Sequence, residues 1–262
     1  MTATVENLLR CRSPHPDPDM RLFCLPWAGA GALGYSSWTL PTDMAAEVWA
    51  VQLPGREDRA GEPPLPSITS MVDVLRGAVE PLLDRPFAFF GHSMGALLAF
   101  ELARALRATG GPAPAQLFLS GMRSPDLTPW RPAASVLGDE ALLHRLNEIA
   151  GPSVSAVRDR DVLLWLAPAM RADFAACENY QYRDELPLDI PTCLLAAGDD
   201  AEVRVDEVSA WRRHCGAVGP VRVFEGGHLY LLDQRADVLS LIAEELQGHG
   251  VFGIGPVRRP RV

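Results

Sequence analysis

Residues 87–95 are Phe87-Ala88-Phe89-Phe90-Gly91-His92-Ser93-Met94-Gly95, a stretch that contains the pattern G-x-S-x-G. The apolar residues before the first glycine predict a buried strand, and the Ala- and Leu-rich residues 96–106 predict a helix. A sharp turn between a strand and a helix leaves no room for a Cβ at its flanks, a requirement that Gly91 and Gly95 meet. The stretch therefore predicts that the turn presents Ser93 as a nucleophile. The Met94 N–H, at the helix N-terminus, is expected to stabilise an oxyanion.

The segments around this turn predict an α/β fold. Apolar strands are expected at residues 21–26, 47–53, 115–121, 192–198 and 221–224. Most are continuous apolar runs, as is typical of parallel strands that helices cover on both faces. Helical spacing follows Ser67, a predicted N-cap, and further helices are expected near 206–214 and 233–247. The architecture is thus predicted to be doubly wound, with a mostly parallel central sheet.

A helical lid is predicted at about 123–185, between two consecutive strands. In this segment, proline-rich loops alternate with helical segments near 139–150, 159–167 and 168–181, and no strand candidate occurs. We expect the apolar residues of this insertion to pack against each other and the underlying core; the alternative is that a subset lines an acyl channel.

The remaining segments define the predicted domain organisation. A single domain is expected over residues 21–248. Residues 1–20, which include a proline-rich run, are predicted to be a flexible arm. Residues 249–262, rich in Gly, Pro and Arg, are predicted to be a flexible tail.

The composition narrows the functional classes. All 24 basic residues are arginine, which excludes a lysine Schiff base, a P-loop lysine and a Ser-Lys dyad. A net charge of −9 argues against a nucleic-acid partner. The five cysteines show no C-x-x-C pair and no metal-ligand spacing, which favours a reducing compartment and predicts no metal. No membrane-spanning apolar run or secretory signal occurs, so we expect a cytoplasmic protein that does not contact membranes.

Two further strand ends carry the partners that a nucleophilic serine needs. Asp199 and Asp200 follow one predicted strand, and His228 follows the last one after two glycines. The order Ser, Asp, His is that of α/β-hydrolases, which identifies the expected fold. Ser93 would attack, His228 would transfer its proton, and one aspartate would hold the imidazole tautomer. The other aspartate suits a turn or helix cap, and spacing does not choose between the two.

A glycine-rich loop at residues 27–35 offers a second oxyanion donor. Its G-x-G-x-x-G-like spacing is a weak nucleotide-binding pattern, and the P-loop lysine is missing. Small residues instead let a backbone N–H approach a substrate oxygen, and we expect Ala28, or its neighbour Trp27, to provide it. The charged residues 54–59 are interpreted as a solvated loop; the alternative is a fixed Arg–carboxylate pair near the site.

Together these motifs resemble the stand-alone type II thioesterases of modular polyketide and nonribosomal peptide synthases, over about residues 21–247. The matching stretches are Leu25-Pro26-Trp27-Ala28-Gly29-Ala30, Leu53-Pro54-Gly55-Arg56, Phe90-Gly91-His92-Ser93-Met94-Gly95, Ser120-Gly121, Leu166-Ala167-Pro168-Ala169-Met170-Arg171-Ala172-Asp173-Phe174, Glu178-Asn179-Tyr180 and Gly226-Gly227-His228. The combination is far more specific than G-x-S-x-G alone.

The resemblance implies an enzyme that uses a Ser-His-Asp triad and no cofactor. Its substrates would be acyl thioesters on the phosphopantetheine arm of acyl or peptidyl carrier proteins, from which it would remove aberrant or stalled groups. The resemblance selects Asp200 over Asp199, because the aspartate of the family lies three residues before a valine, here Val203. We expect a monomer. The chain departs from the family pattern at Ala30, Ala201 and Leu229.

Carrier proteins are acidic, and so is this chain, so docking is expected to be weak and local. The arginines expected to contribute are Arg123, Arg131, Arg158 and Arg160. Three other functions remain open: a small-molecule carboxylesterase or lipase, a chain-releasing thioesterase or cyclase, and a non-catalytic interaction module. The last is least favoured, because a binding module has no need for Ser, Asp and His at three strand ends.

Overall fold

The structure, a computed structural model, describes residues 8–128, 133–150 and 160–248, apart from the side chains of residues 150 and 161–163. Its centre is a seven-stranded sheet in the order β1-β3-β2-β4-β5-β6-β7. The strands are β1 (Leu9–Cys11), β2 (Met20–Leu25), β3 (Ala46–Val51), β4 (Phe87–His92), β5 (Gln116–Ser120), β6 (Thr192–Ala197) and β7 (Arg222–Phe224). β1 is antiparallel to β3, and all other neighbouring pairs are parallel. The predicted α/β class is confirmed.

Helices cover both faces of this sheet. They are α1 (Ile68–Val79), α2 (Met94–Ala108), α3 (Asp139–Ala150), α4 (Arg160–Glu178), α5 (Val205–Ser209), α6 (Tyr230–Asp233) and α7 (Arg235–Gly248). Short 3-10 helices lie at Ala32–Tyr35, Thr42–Met44, Glu57–Arg59, Glu80–Leu82 and Ala210–Arg213. Leu75 of α1 and Leu98 of α2 share an apolar cluster with Phe89. Ile242 of α7 shares the opposite cluster with Phe90. Because successive strand residues point to opposite faces, the continuous apolar run of β4 fills both cores.

Two predicted elements differ from the structure. Leu9–Cys11, inside the predicted arm, form β1, because they pair with β3 from Leu9 opposite Val51 to Cys11 opposite Trp49. Helix α4 is continuous across Pro168, where the sequence predicts two helices. A proline removes one helical N–H, yet the residues on either side keep their packing against α3. Residues 1–7 and 249–262 lie outside the described residues.

Between β5 and β6 the described chain forms α3 and α4, which pack on each other through an apolar cluster of Leu142, Leu143, Leu146, Ala167 and Met170. Both connections from these helices to the sheet contact His214. The Asp126 Oδ1 atom lies 3.0 Å from His214 Nε2, and the Tyr182 hydroxyl lies 2.9 Å from Nδ1. Ser124 and Arg213 also donate to the Asp126 carboxylate. Among the described helices, none has the length and apolar character needed to cross a membrane.

Candidate active site

Ser93 lies at the bend between β4 and α2. Its φ of 54° and ψ of −122° fall in a region that a non-glycine residue rarely adopts. The bend requires glycine at both flanks. A Cβ on Gly91 would lie 2.0 Å from the Gly95 carbonyl oxygen, and a Cβ on Gly95 would lie 2.1 Å from that of Leu25. The Ser93 N–H donates to the Ser120 carbonyl at 2.8 Å, so β5 holds the bend from the other side.

His228 connects the Ser93 hydroxyl to a buried carboxylate. Its Nε2 lies 3.0 Å from Ser93 Oγ, and its Nδ1 lies 2.8 Å from Asp200 Oδ2. The imidazole is 6% exposed and the Asp200 side chain 1% exposed. At this burial the hydrogen bonds are little weakened by water. Three side chains predicted from separate strand ends are thus brought into one hydrogen-bonded row.

The Asp200 carboxylate is itself fixed by the turn in which it lies. Its Oδ1 accepts hydrogen bonds from the backbone N–H groups of Glu202 at 2.7 Å and Val203 at 3.2 Å. Asp199 contributes its backbone N–H to the Gly226 carbonyl at 3.1 Å. The structure therefore places Asp200, and not Asp199, against His228. The turn-cap role and the imidazole contact belong to two oxygens of one residue.

Sequence reasoning assigned no role to His92, which is buried beside His228 with ring centroids 5.0 Å apart. Its Nδ1 lies 2.8 Å from Ser120 Oγ, which lies 2.5 Å from the Tyr230 hydroxyl. Burial, reinforced by the nearby His228, holds the pKa of His92 well below its usual value. Gly121 makes room for the ring, because a Cβ there would lie 2.5 Å from His92 Cε1. A neutral imidazole therefore supports His228 without adding charge to the site.

Both predicted oxyanion donors lie next to the carboxyl ends of strands. Met94 is the first residue of α2, so its N–H lies at the helix N-terminus, directly after the serine. Ala28 lies in a turn in which the Ala30 N–H donates to the Trp27 carbonyl at 3.0 Å. The third residue of this turn, Gly29, has a φ of 79°, as a type II turn requires. The roles of Ala28 and Met94 stay predictions.

A buried ion pair lies against the same turn. The two Nη atoms of Arg56 donate to the two carboxylate oxygens of Asp173 at 2.6 and 3.0 Å, and both side chains are 0% exposed. The interpretation of residues 54–59 as a solvated loop is therefore wrong at Arg56, and the alternative of a fixed Arg–carboxylate pair holds. Both residues occur in the stretches that carry the resemblance, but no spacing in the sequence joins them.

The arginines predicted to dock a carrier protein differ in their surroundings. Arg123 is 14% exposed and donates to the Glu202 carbonyl at 2.9 Å, so its charge is directed inward. Arg160 is exposed at the start of α4 and pairs with Glu140. The others, Arg131 and Arg158, lie outside the described residues.

A hydroxyl, an imidazole and a carboxylate in one hydrogen-bonded row can perform nucleophilic acyl transfer. The serine stands on a strand–turn–helix bend of a mostly parallel sheet, and the chain order is Ser, Asp, His. This order on this fold is that of α/β-hydrolases. The fold and the site together define a serine hydrolase of that class.

Comparison with known proteins identifies the family. The thioesterase domain profile matches residues 20–246, so the chain belongs to the thioesterase family. The gramicidin S biosynthesis protein GrsT of Aneurinibacillus migulanus is 33% identical over 228 residues, which cover 87% of this chain and 89% of the relative. The thioesterase PikA5 of Streptomyces venezuelae is 36% identical over 245 residues, covering 92% and 87%. A solved structure, the type II thioesterase BorB from the borrelidin biosynthetic cluster, is 35% identical with a TM-score of 0.85, covering 91% of this chain and 97% of that one.

Proposed function

We propose that this thioesterase hydrolyses acyl groups from the phosphopantetheine arm of acyl or peptidyl carrier proteins. It would thereby remove aberrant or stalled groups during polyketide or nonribosomal peptide biosynthesis. The observation that carries the proposal is the hydrogen-bonded row of Ser93, His228 and Asp200. GrsT, named for gramicidin S biosynthesis, and BorB, a type II thioesterase from the borrelidin biosynthetic cluster, are both similar to this chain over most of their length and support the substrate class.

In the acylation step, Ser93 Oγ attacks the thioester carbonyl carbon while His228 Nε2 accepts its proton. The resulting oxyanion is stabilised by the backbone N–H groups of Met94 and Ala28. The C–S bond then breaks, and His228 returns the proton to the departing sulfur, which releases the phosphopantetheine thiol. A thiolate leaves more readily than an amine, so breakdown of the thioester adduct needs only weak general-acid catalysis by His228.

In the deacylation step, water attacks the acyl-serine ester. His228 accepts a proton from the water and passes it to Ser93 Oγ, which releases a free carboxylic acid and restores the serine. Asp200 holds the imidazole tautomer and stabilises the imidazolium that forms in both steps.

We also propose that the protein acts as a monomer in the cytoplasm. All five cysteines are free, as is usual in a reducing compartment. Light scattering on the purified protein measures its mass in solution, and a stable dimer would contradict the proposed monomer.

The decisive experiment presents the purified protein with carrier proteins bearing acetyl, propionyl, longer-chain or extender-type acyl groups and follows release by intact mass. We expect free acid and free carrier thiol. Ser93→Ala, which leaves the rest of the row in place, should reduce release by at least about 10³-fold. Faster turnover of p-nitrophenyl esters than of carrier thioesters would instead indicate a carboxylesterase. A cyclic product would indicate chain release, and full activity of Ser93→Ala would refute the site.

A further inference from the structure

The turn that carries Ala28 is held by a side chain of the lid helix. Asp173, on α4, accepts the Gly29 N–H on Oδ2 at 2.7 Å. Arg56 Nη1 donates to the same Asp173 oxygen at 2.6 Å and to the Ala30 carbonyl at 3.1 Å. The ion pair thus contacts the turn twice, at its central peptide and at its last carbonyl group.

The first of these contacts selects the conformation of the turn. The Gly29 N–H belongs to the central peptide, and type I and type II turns differ by rotation of that peptide. In the observed type II form, with φ of 79° at Gly29, the N–H faces the carboxylate. Rotation to the type I form would turn the Ala28 carbonyl oxygen toward Asp173, and the two negative groups would repel each other. The carboxylate therefore favours one of two otherwise accessible turns.

Stability alone does not account for this ion pair. Both side chains are 0% exposed, and a buried ion pair is often no more stabilising than apolar residues of the same volume. Arg56 Nε and Nη2 also donate to the Pro54 carbonyl at 3.3 Å each, so the guanidinium is anchored to its own loop. A rigid charge pair beside the turn that carries Ala28 is better explained by the orientation that it imposes on that turn.

We propose that Arg56 and Asp173 are positioning residues, which hold the Trp27–Ala30 turn in its oxyanion-stabilising conformation and make that conformation depend on lid helix α4. The inference rests on the proposed function, in which Ala28 is one oxyanion donor. It assigns a role to two residues that do not themselves touch the reacting atoms. Loss of the pair should weaken transition-state stabilisation and leave substrate binding nearly unchanged.

The test uses the full-length protein and two variants. Arg56→Met/Asp173→Leu removes both charges together and leaves no unpaired buried ion, which favours folding. Asp173→Asn has the same shape and keeps an oxygen that can accept the Gly29 N–H. We expect kcat on acyl-carrier thioesters to fall about 10²-fold in the double variant, comparable to the loss of one oxyanion donor. The fall should be about tenfold in Asp173→Asn.

A second readout separates positioning from a general loss of structure. An alkyl trifluoromethyl ketone adds to the serine and forms an oxyanion, so its affinity should fall by the same factor as kcat while KM changes less than about threefold. The matched control is Arg21→Met/Glu47→Leu. This pair is also largely shielded from solvent, with a contact of 3.0 Å and side chains 11% and 6% exposed, but it joins the amino ends of β2 and β3, at the edge of the sheet away from Ser93. The control should leave kcat, KM and ketone affinity within about threefold of the unmodified protein.

The inference is overturned if the double variant folds and retains kcat and ketone affinity at the level of the control pair. Should the double variant not fold, Asp173→Asn decides on the same criteria. Failure of the proposed function has a different signature, because the unmodified protein would then release no acyl group from any carrier. In that case p-nitrophenyl esters, which need the same oxyanion donors, supply the rates for the comparison.

Discussion

Asp200 shows how one residue can serve the backbone and the chemistry together. Its Oδ1 closes a turn with Glu202 and Val203, and its Oδ2 contacts His228. The turn fixes the carboxylate before the imidazole contacts it. Orientation of the His228 ring therefore costs little conformational entropy when substrate arrives.

Asp200→Asn should reduce kcat by about 10³- to 10⁴-fold with a small change in KM, because an amide N–H facing Nδ1 forces the wrong imidazole tautomer. Asp199→Asn is the matched control and should stay within about threefold, since Asp199 bonds to Gly226 through its backbone N–H and, among the described residues, its side chain has no hydrogen-bond partner. Steady-state rates on a carrier thioester measure both. An equal loss in the two variants would contradict the assignment.

Several individual residues could be placed from the sequence, and others could not. Ser93 and His228 were predictable because Ser93 directly follows β4 and His228 lies in the short loop after β7, and the ends of parallel strands share one edge of a sheet. The two adjacent aspartates were ambiguous on spacing alone, because both follow the same strand. Asp173 was out of reach for a different reason: it lies 144 residues from Gly29 and 117 from Arg56, and no local pattern reports such a contact.

At the scale of elements, the bend between β4 and α2 determines how closely helix and sheet approach. Gly95 in the first turn of α2 lies against the backbone at the end of β2, so the helix packs directly over the parallel strands. Sequence patterns predicted this element and the capped start of α1, where Ser67 Oγ accepts the Ser70 N–H at 3.1 Å. They failed at Pro168, because propensity treats proline as a break while packing on α3 keeps α4 continuous.

Gly95→Ala should destabilise the fold by roughly 3 kcal/mol or more and abolish activity, because its Cβ would lie 2.1 Å from the Leu25 carbonyl oxygen. The control is Gly77→Ala on α1, where a Cβ meets nothing within 4 Å. That change should stabilise the protein by about 0.5–1 kcal/mol, since alanine favours helix more than glycine does. Urea unfolding of both variants measures the difference, and two effects of the same sign would refute the explanation.

At the scale of the whole molecule, the connections that lead from β5 to α3 and from α4 to β6 both contact His214, which joins the α3–α4 insertion to the rest of the domain. Asp126 comes from one connection and Tyr182 from the other, and they lie 88 and 32 residues before His214 in the sequence. Burial opposes ionisation of Asp126. Hydrogen bonds from Ser124, His214 and Arg213 outweigh that effect and hold the pKa of Asp126 well below its usual value.

Asp126→Asn should lower the free energy of unfolding at pH 7 by about 1.5–3 kcal/mol, the range for hydrogen bonds to a charged group. Because the pKa of Asp126 is lower in the folded than in the unfolded state, its contribution is complete above about pH 4 and is lost as the pH falls toward the folded value. The difference between wild type and variant should therefore shrink below about pH 4. Denaturant titrations at several pH values measure it, with exposed Asp73→Asn on α1 as the control. A penalty that does not vary with pH would contradict this account.

The positive φ of Ser93 reverses the usual order in which alanine is more stabilising than glycine. At most positions, replacing alanine by glycine destabilises the folded protein. At residue 93, however, only glycine avoids the steric conflict that every L side chain meets at this backbone conformation. Both Ser93→Gly and Ser93→Ala lack the hydroxyl, so the gap between their melting temperatures isolates the backbone. We expect the glycine variant to be more stable by about 1 kcal/mol. Selection for thermal stability alone would therefore replace the nucleophile with glycine. The backbone strain at Ser93 is a place where the protein keeps activity at the expense of stability.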